Sequence, residues 1–356
     1  MISSRSRDEL PGVRSPALPL LLLPLLLSAA PAPVSPGPVS PALPGPVRVA
    51  ILSDFNGPYG STSYPPALGR SVARIVNDWR PDAVLSAGDL IAGQKASLTD
   101  AQVRAMWAAF DRDVRVPLNR AGIPFAFTPG NHDAALPRDR REARTYWQAH
   151  PPALTFVDRA DFPFRSSFTL GGGTVFVVTL DAAGPVVDAG QRAWLAAQLA
   201  SAPARAAGIR LVLGHLPLAG VSEGKNRAGE VVRDAGPLRQ VMQAGRVLVY
   251  ISGHHAAYYP GRLGTPGQLG TPGQLSAAGQ SGGLNVLASG GIGGRDYVGH
   301  PGTARSTVTL LTLHPATGRA TFQTVDADTG QAVQTDSLPA RLDGLGGTLN
   351  RVNDFR

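Results

Sequence analysis

Short apolar runs that end in glycine or a polar cluster alternate along this chain with longer stretches whose apolar residues recur every three or four positions. The first pattern predicts strands and the second predicts helices. Val47–Ser53 opens the series as a strand leading into Asp54-Phe55-Asn56. Leu68, Val72, Ile75, Val76 and Trp79 then recur at helical spacing, and Ala83–Ala87 is a second strand ending in Gly88-Asp89. A helix starts at Thr99, where Thr99 and Gln102 form a capping-box pattern; it buries Val103, Met106, Trp107, Phe110 and Val114. The strand at Phe125-Ala126-Phe127 runs into Gly130-Asn131-His132-Asp133. An arginine-rich helix over 138–149 follows, then a hairpin of Ser167–Leu170 and Thr174–Leu180 joined by three glycines, then a helix over 189–200. Ile209–Leu213 leads into Gly214-His215, a short helix spans Leu238–Ala244, and Val247–Ser252 leads into Gly253-His254-His255. Val286–Ala288, Thr307–Leu313 and Ala320–Val325 make the last part strand-rich. Helices alternating with strands first, and strands dominating later, predict a mixed sheet system with helices outside.

Two stretches do not read as fold. In residues 1–30, Arg5, Arg7 and Arg14 precede a leucine-rich run from Ala17 to Ala30, the layout of a signal peptide or an N-terminal anchor. Pro19 and Pro24 interrupt it, and it falls short of the ~20 apolar residues of a comfortable membrane span. Residues 31–46 form a proline-rich tether, and 47–356 are the folded domain. This layout predicts export to the periplasm, the exterior or the cell envelope. Gly264-Thr-Pro-Gly-Gln-Leu269 is copied directly at 270–275, so 264–283 is a low-complexity loop that follows the Gly253-His254-His255 end.

At 356 residues and 43% hydrophobic content the chain can hold one large domain or two small ones. It has no cysteine, which excludes disulfides, thiolate ligands and a bacterial lipid anchor. The formal charge of +8 is almost wholly arginine, since Lys95 and Lys225 are the only lysines. The arginines are scattered, and nothing forms a nucleic-acid-binding module.

Carboxylate, amide and imidazole groups at successive strand ends make a metal-site constellation. With no thiolate available, oxygen and imidazole nitrogen must hold the ion, which suits Mn, Fe or Zn. Two-metal phosphate-ester hydrolysis needs a bridging carboxylate, neutral N/O ligands and an acid for the leaving group. Asp54, Asp89, Asn131, His215 and His254 supply ligands, and His132 can point at the leaving group as general acid.

In this order the motifs resemble the calcineurin-like metallophosphoesterase superfamily, which includes purple acid phosphatases. That family's pattern is Asp-x-His, Gly-Asp, Gly-Asn-His-Asp/Glu, a later His, and Gly-His-x-His. Gly88-Asp89, Gly130–Asp133, Gly214-His215 and Gly253-His254 match it in sequence, and the resemblance covers 47–325. It implies an α/β (α+β) fold of two packed mixed β-sheets flanked by helices, an αββα sandwich with its site at the strand ends. It also implies one or two metal ions, with Asp89 as the bridge, Asn131, His215 and His254 completing one ion, and Asp54 binding the other. His132 is the implied acid and Asp133 orients a neighbour.

Two positions depart from the pattern. Asn56 stands where the family has the His of Asp-x-His, leaving at most its carbonyl as a ligand, and Ala256 stands where it has the last His. Both missing imidazoles belong to the same metal. His255 is either structural or, through a one-residue bulge, a replacement. Gly88–Ala92 lacks the tyrosine of a purple iron centre. Gly290–Arg295 reads either as an ordinary glycine-rich stretch or as a phosphate cradle with Arg295 as clamp. Tyr258 and Tyr259 read as rim packing. The implied function is an exported metal-dependent phosphoesterase that cleaves phosphate mono- or diesters with metal-activated hydroxide. The alternative is a degenerate member that binds phosphate or an envelope polymer without turnover.

Overall fold

The computed structural model describes residues 45–264 and 283–356. The predicted signal or anchor, almost all of the tether and the interior of the repeat loop lie outside those residues. In chain order the strands are β1 (Val47–Ile51), β2 (Ala83–Ser86), β3 (Phe125–Phe127), β4 (Thr155–Asp158), β5 (Ser166–Leu170), β6 (Val175–Thr179), β7 (Ile209–Leu213), β8 (Val249–Ser252), β9 (Tyr258–Leu263), β10 (Leu284–Ser289), β11 (Thr307–His314), β12 (Arg319–Asp326), β13 (Arg341–Gly344) and β14 (Gly347–Arg351). The helices are α1 (Pro66–Arg74), α2 (Asp100–Phe110), α3 (Val116–Arg120), α4 (Asn131–Ala134), α5 (Pro137–Ala149), α6 (Ala189–Leu199), α7 (Ala202–Ala206) and α8 (Ala235–Ala244).

Alternation along β1 explains the layering. Val47, Val49 and Ile51 enter one apolar cluster, and Ala50, with Leu52 just beyond the strand, enters another. A strand buried on both faces must lie in a sheet covered on both sides. That sheet has five strands in the order β12-β11-β1-β2-β3, with β1, β2 and β3 parallel. One face packs against Leu68 and Val72 of α1, Val103 and Phe110 of α2, and Trp147 of α5. The other meets a nine-stranded sheet, β13-β14-β9-β10-β8-β7-β6-β5-β4, through Val49, Ile51, Leu85, Val175, Val177 and Leu211. Leu195 of α6 and Met242 of α8 belong to that same cluster. The result is the expected pair of packed mixed sheets flanked by helices. Within the second sheet β6, β7, β8 and β10 run parallel, so their carboxy-terminal ends lie on one edge.

Local signals mostly behave as the sequence predicts. Thr99 and Gln102 form the reciprocal cap of α2, with Gln102 N–H donating to Thr99 Oγ1 at 3.2 Å and Thr99 N–H to Gln102 Oε1 at 2.8 Å. Beyond α2 the helix widens into a π-turn at Asp111–Arg115, which carries Val114, before α3. Tyr258 and Tyr259 correct the sequence reading: they are buried within β9, an inner strand of the nine-stranded sheet, and do not form a rim. Among the described residues no helix is long and apolar enough to cross a membrane.

Candidate metal centre

The strand ends of both sheets converge. Past β1, β2 and β8 the chain turns through left-handed backbone at Asp54 (φ 51°), Asp89 (φ 57°) and His254 (φ 66°). Each such residue costs ~1–2 kcal/mol relative to ordinary backbone, and strain of this kind clusters where function requires it. Glycine lets the turns touch: a Cβ on Gly88 would lie 2.4 Å from Gly130 N, and one on Gly130 would lie 2.1 Å from Asp89 Oδ1.

Asp133 organises this contact. Its buried carboxylate accepts the N–H groups of Asp89 (2.9 Å), Leu90 (2.9 Å), Ile91 (3.0 Å) and Gly130 (2.8 Å). Burial and the neighbouring Asp89 push its carboxyl up to about 7. The four donors favour the anion, because a protonated oxygen would have no acceptor to face.

Donor atoms gather around His215, which is completely buried. Its Nδ1 lies 2.6 Å from the Ala87 carbonyl, so that nitrogen carries a proton and Nε2 faces the site. Around Nε2 stand Asn131 Oδ1 at 2.8 Å, His254 Nδ1 at 3.2 Å and Asp89 Oδ1 at 3.4 Å. The Asn131 amide is turned this way because its Nδ2 donates to Gln94 Oε1 at 2.6 Å. His254 Nε2 lies 2.6 Å from Glu230 Oε2, an outer partner that orients the ring toward the site. Among the described residues Asp89, His215 and His254 form a group whose ligand atoms all lie within 4.8 Å of one another.

Lone pairs packed this closely repel unless a positive centre stands among them. Burial opposes charge on His215, but Asp89 beside it outweighs burial and raises the imidazole to about 9. The same ion pair holds the Asp89 carboxyl below the usual range despite burial. Burial, helped by the charge on His215, lowers His254. Without an ion the nest therefore takes up a proton, and the residues fit one metal ion with oxygen and imidazole ligands.

A second ion finds less. Asp54 is buried, with one oxygen accepting the His254 N–H at 2.6 Å and its Oδ2 without a partner. Burial, with Asp89 adding to it, pushes Asp54 up to about 7. Asn56 is half-buried two residues on, and no hydrogen bond ties it to this group. His255 cannot substitute: its Nδ1 accepts the N–H groups of Val221 (3.1 Å) and Ser222 (3.2 Å), and its Nε2 faces the Glu230 carbonyl at 3.0 Å. Burial lowers this ring to about 4, so it is a neutral structural group. The residues do not fit a second ion.

His132 lies beside the nest, partly buried, with its Nδ1 buried and without a partner. Its backbone N–H donates to Asp89 Oδ1 at 3.0 Å, and Tyr59 stacks on its ring at 5.1 Å. Burial lowers its imidazole while Asp89 opposes. The Gly290–Arg295 loop packs against the site's backbone, with Ile292 N–H on Asp54 O (3.0 Å) and Arg295 N–H on Ala256 O (2.8 Å).

The sequence reading missed Gln94, Glu230, Lys225 and Tyr59. Lys225 Nζ stands 3.2 Å from His254 Nδ1, 3.3 Å from its Nε2 and 3.7 Å from Glu230 Oε2. Tyr59, Gln94 and Glu230 come from irregular segments and Lys225 from a single 3-10 turn, Glu223–Lys225, where periodicity carries no signal. The one available hint was a rare lysine between two ligand-type histidines.

Residues 47–258 match the family model described as calcineurin-like phosphoesterase. Among solved structures the chain is similar to the purple acid phosphatase PPD1 from yellow lupin (Lupinus luteus) seeds, with 17% identity, a TM-score of 0.59 and coverage of 83% of this chain and 54% of that one. This chain thus spans about half the length of that protein. A dimetal phosphatase from Danio rerio matches at 14% identity and a TM-score of 0.49, covering 79% of this chain and 96% of that one. No curated protein matches the chain.

Proposed function

The chain belongs to the calcineurin-like phosphoesterase family, and we propose that it is an exported, metal-dependent phosphoesterase that hydrolyses phosphate mono- or diesters. The observation carrying this proposal is the convergence of Asp89 Oδ1, Asn131 Oδ1 and His254 Nδ1 on His215 Nε2. Asp89, Asn131, His215 and His254 would hold a Mn, Fe or Zn ion there, which when bound would supply Lewis acidity at phosphorus and lower the pKa of water. The chain's own groups hold and move everything else. Asp133 fixes the 88–91 turn that aims Asp89. His132, anchored through its N–H to Asp89 and stacked under Tyr59, gives a ring proton to the leaving-group oxygen. Export rests on the arginine-preceded apolar run from Ala17 to Ala30.

Asn56 and Ala256 favour a second reading, a degenerate member that binds phosphate or an envelope polymer without turnover. Protein purified without chelator, assayed for metal and for hydrolysis of aryl mono- and diesters, separates the two. Bound metal with turnover supports the enzyme; bound metal without turnover of either ester overturns it in favour of the binder. Fusing residues 1–46 to a periplasmic reporter tests export, and a reporter retained in the cytoplasm refutes it.

A further inference from the structure

The turn Gly57-Pro58-Tyr59-Gly60 holds its shape through backbone bonds and close packing. Gly60 N–H donates to Ala92 O at 2.8 Å, tying the turn to the segment after Asp89, and Ser61 N–H donates to Pro58 O at 2.9 Å. Ser61 Oγ donates to Ser63 O at 2.8 Å. The two glycines leave no room for side chains: a Cβ on Gly57 would lie 3.0 Å from Ser61 Cβ, and one on Gly60 2.9 Å from Leu98 Cδ2. The neighbouring aromatics serve the fold. Phe55 is buried, and Tyr64 meets it edge-on at 5.7 Å with its hydroxyl donating to Leu90 O at 2.9 Å.

Tyr59 goes the other way. Its ring belongs to no apolar cluster and is 55% exposed, the one exposed ring among the described phenylalanine, tyrosine and tryptophan residues. A single exposed apolar side chain is ordinary on a protein surface. What sets this one apart is its address. It lies on His132 with ring centroids 5.1 Å apart and planes 27° from parallel. His132 reaches the leaving-group oxygen at a hydrogen-bond distance of ~3 Å. The alcohol beyond that oxygen then passes beside the His132 ring and comes within the roughly 4.5–7 Å over which aromatic rings pair. A saturated group gains only contact area from Tyr59, whereas a flat ring gains the offset or edge-to-face geometry that aromatic pairs prefer.

We propose that Tyr59 determines substrate choice as a platform for the leaving group: the preferred ester releases an alcohol with a flat, unsaturated ring close to the ester oxygen, and Tyr59 stacks on that ring while His132 serves the oxygen. This rests on the phosphoesterase reading, but the ring preference is measurable without turnover.

The test compares benzyl phosphate with cyclohexylmethyl phosphate, whose alcohols are similar in size and acidity and differ in whether the ring is flat and unsaturated. Full-length, Mn²⁺-loaded wild type should favour the benzyl ester in kcat/KM. In Tyr59→Leu the benzyl-to-cyclohexylmethyl ratio should fall about 5–100-fold, the worth of one ring stack, while Tyr59→Phe, which keeps the ring, should retain it. A ratio unchanged in Tyr59→Leu overturns the proposal, since equal losses on both esters would make the ring a support for His132 alone. Calorimetric titration with benzylphosphonate and cyclohexylmethylphosphonate reads the same preference as binding. A wild type that prefers the benzyl compound in neither turnover nor binding overturns the proposal, whether or not the variants fold. If the wild type cleaves neither ester yet binds benzylphosphonate more tightly, and Tyr59→Leu abolishes that preference, the platform stands and the phosphoesterase reading falls.

Discussion

Replacing Asp133 by Asn tests whether one buried carboxylate assembles the site. Of its two oxygens, Oδ1 accepts from Leu90 and Ile91, and Oδ2 from Asp89 and Gly130. Asparagine has nearly the same shape but only one acceptor oxygen, so its amide NH₂ must face two N–H donors that lose their partner. Each buried donor left unsatisfied costs ~1–3 kcal/mol, giving about 2–6 kcal/mol for the substitution. That is a large share of the ~5–15 kcal/mol that holds a typical domain folded. The two stranded donors belong to Asp89 and Gly130 on one side, or to Leu90 and Ile91 on the other. Either choice frees the turn that keeps Asp89 at φ 57°. Urea unfolding of chelated protein at pH 8, above the value of about 7 to which burial raises Asp133, should show the midpoint falling with an unchanged slope. Metal affinity of the folded variant, read by competition with a chromophoric chelator, should weaken about 10–100-fold, as when a ligand's outer partner is lost. A stability change below ~1 kcal/mol together with unaltered metal affinity would refute the reasoning.

His132→Ala should leave metal content nearly intact while activity on an ester with a poor leaving group falls ~10²–10⁴-fold; equal losses on good and poor leaving groups would remove its acid role. His215→Ala or His254→Ala should lose metal and activity together, and a variant retaining both in full would make that histidine structural. Chelated protein should lose stability as pH rises. His215 has its folded value raised from 6.5 to about 9, so the stability it contributes is full below 6.5 and disappears as pH passes through about 9. The ceiling is about 3 kcal/mol, read from urea midpoints between pH 7 and 9.5. Metal-loaded protein should lack this slope, and parallel profiles would contradict the assignment.

The candidate ligands were legible because each is announced locally, by an apolar strand that stops at a glycine or an acid. Asp89, Asn131, His215 and His254 needed only that signal, and so did Asp54 beside them. What closes the site was not legible. Glu230, Lys225 and Gln94 reach it from loops whose path is set by tertiary contacts, such as Val298 N–H on Val221 O at 3.0 Å. Strand β9 was missed because Pro260-Gly261 within it reads as a breaker, yet the antiparallel register with β10 carries straight through both. β13 and β14 hold too few apolar residues to show a period.

The candidate ligand set straddles the sandwich: Asp89 and Asn131 follow strands of the five-stranded sheet, and His215 and His254 follow strands of the nine-stranded one. An ion gripped by all four is a cross-link between layers, fastening chain segments as remote as Asp89 and His254. Contacts of such long range form late in folding, so an ion has nowhere to bind until the layers have docked. Adding metal should therefore leave the refolding rate unchanged and slow unfolding, with the stabilisation growing as the logarithm of free metal. Stopped-flow refolding with and without Mn²⁺ would show it, and refolding accelerated by the ion would mean that the half-sites meet before the sheets do.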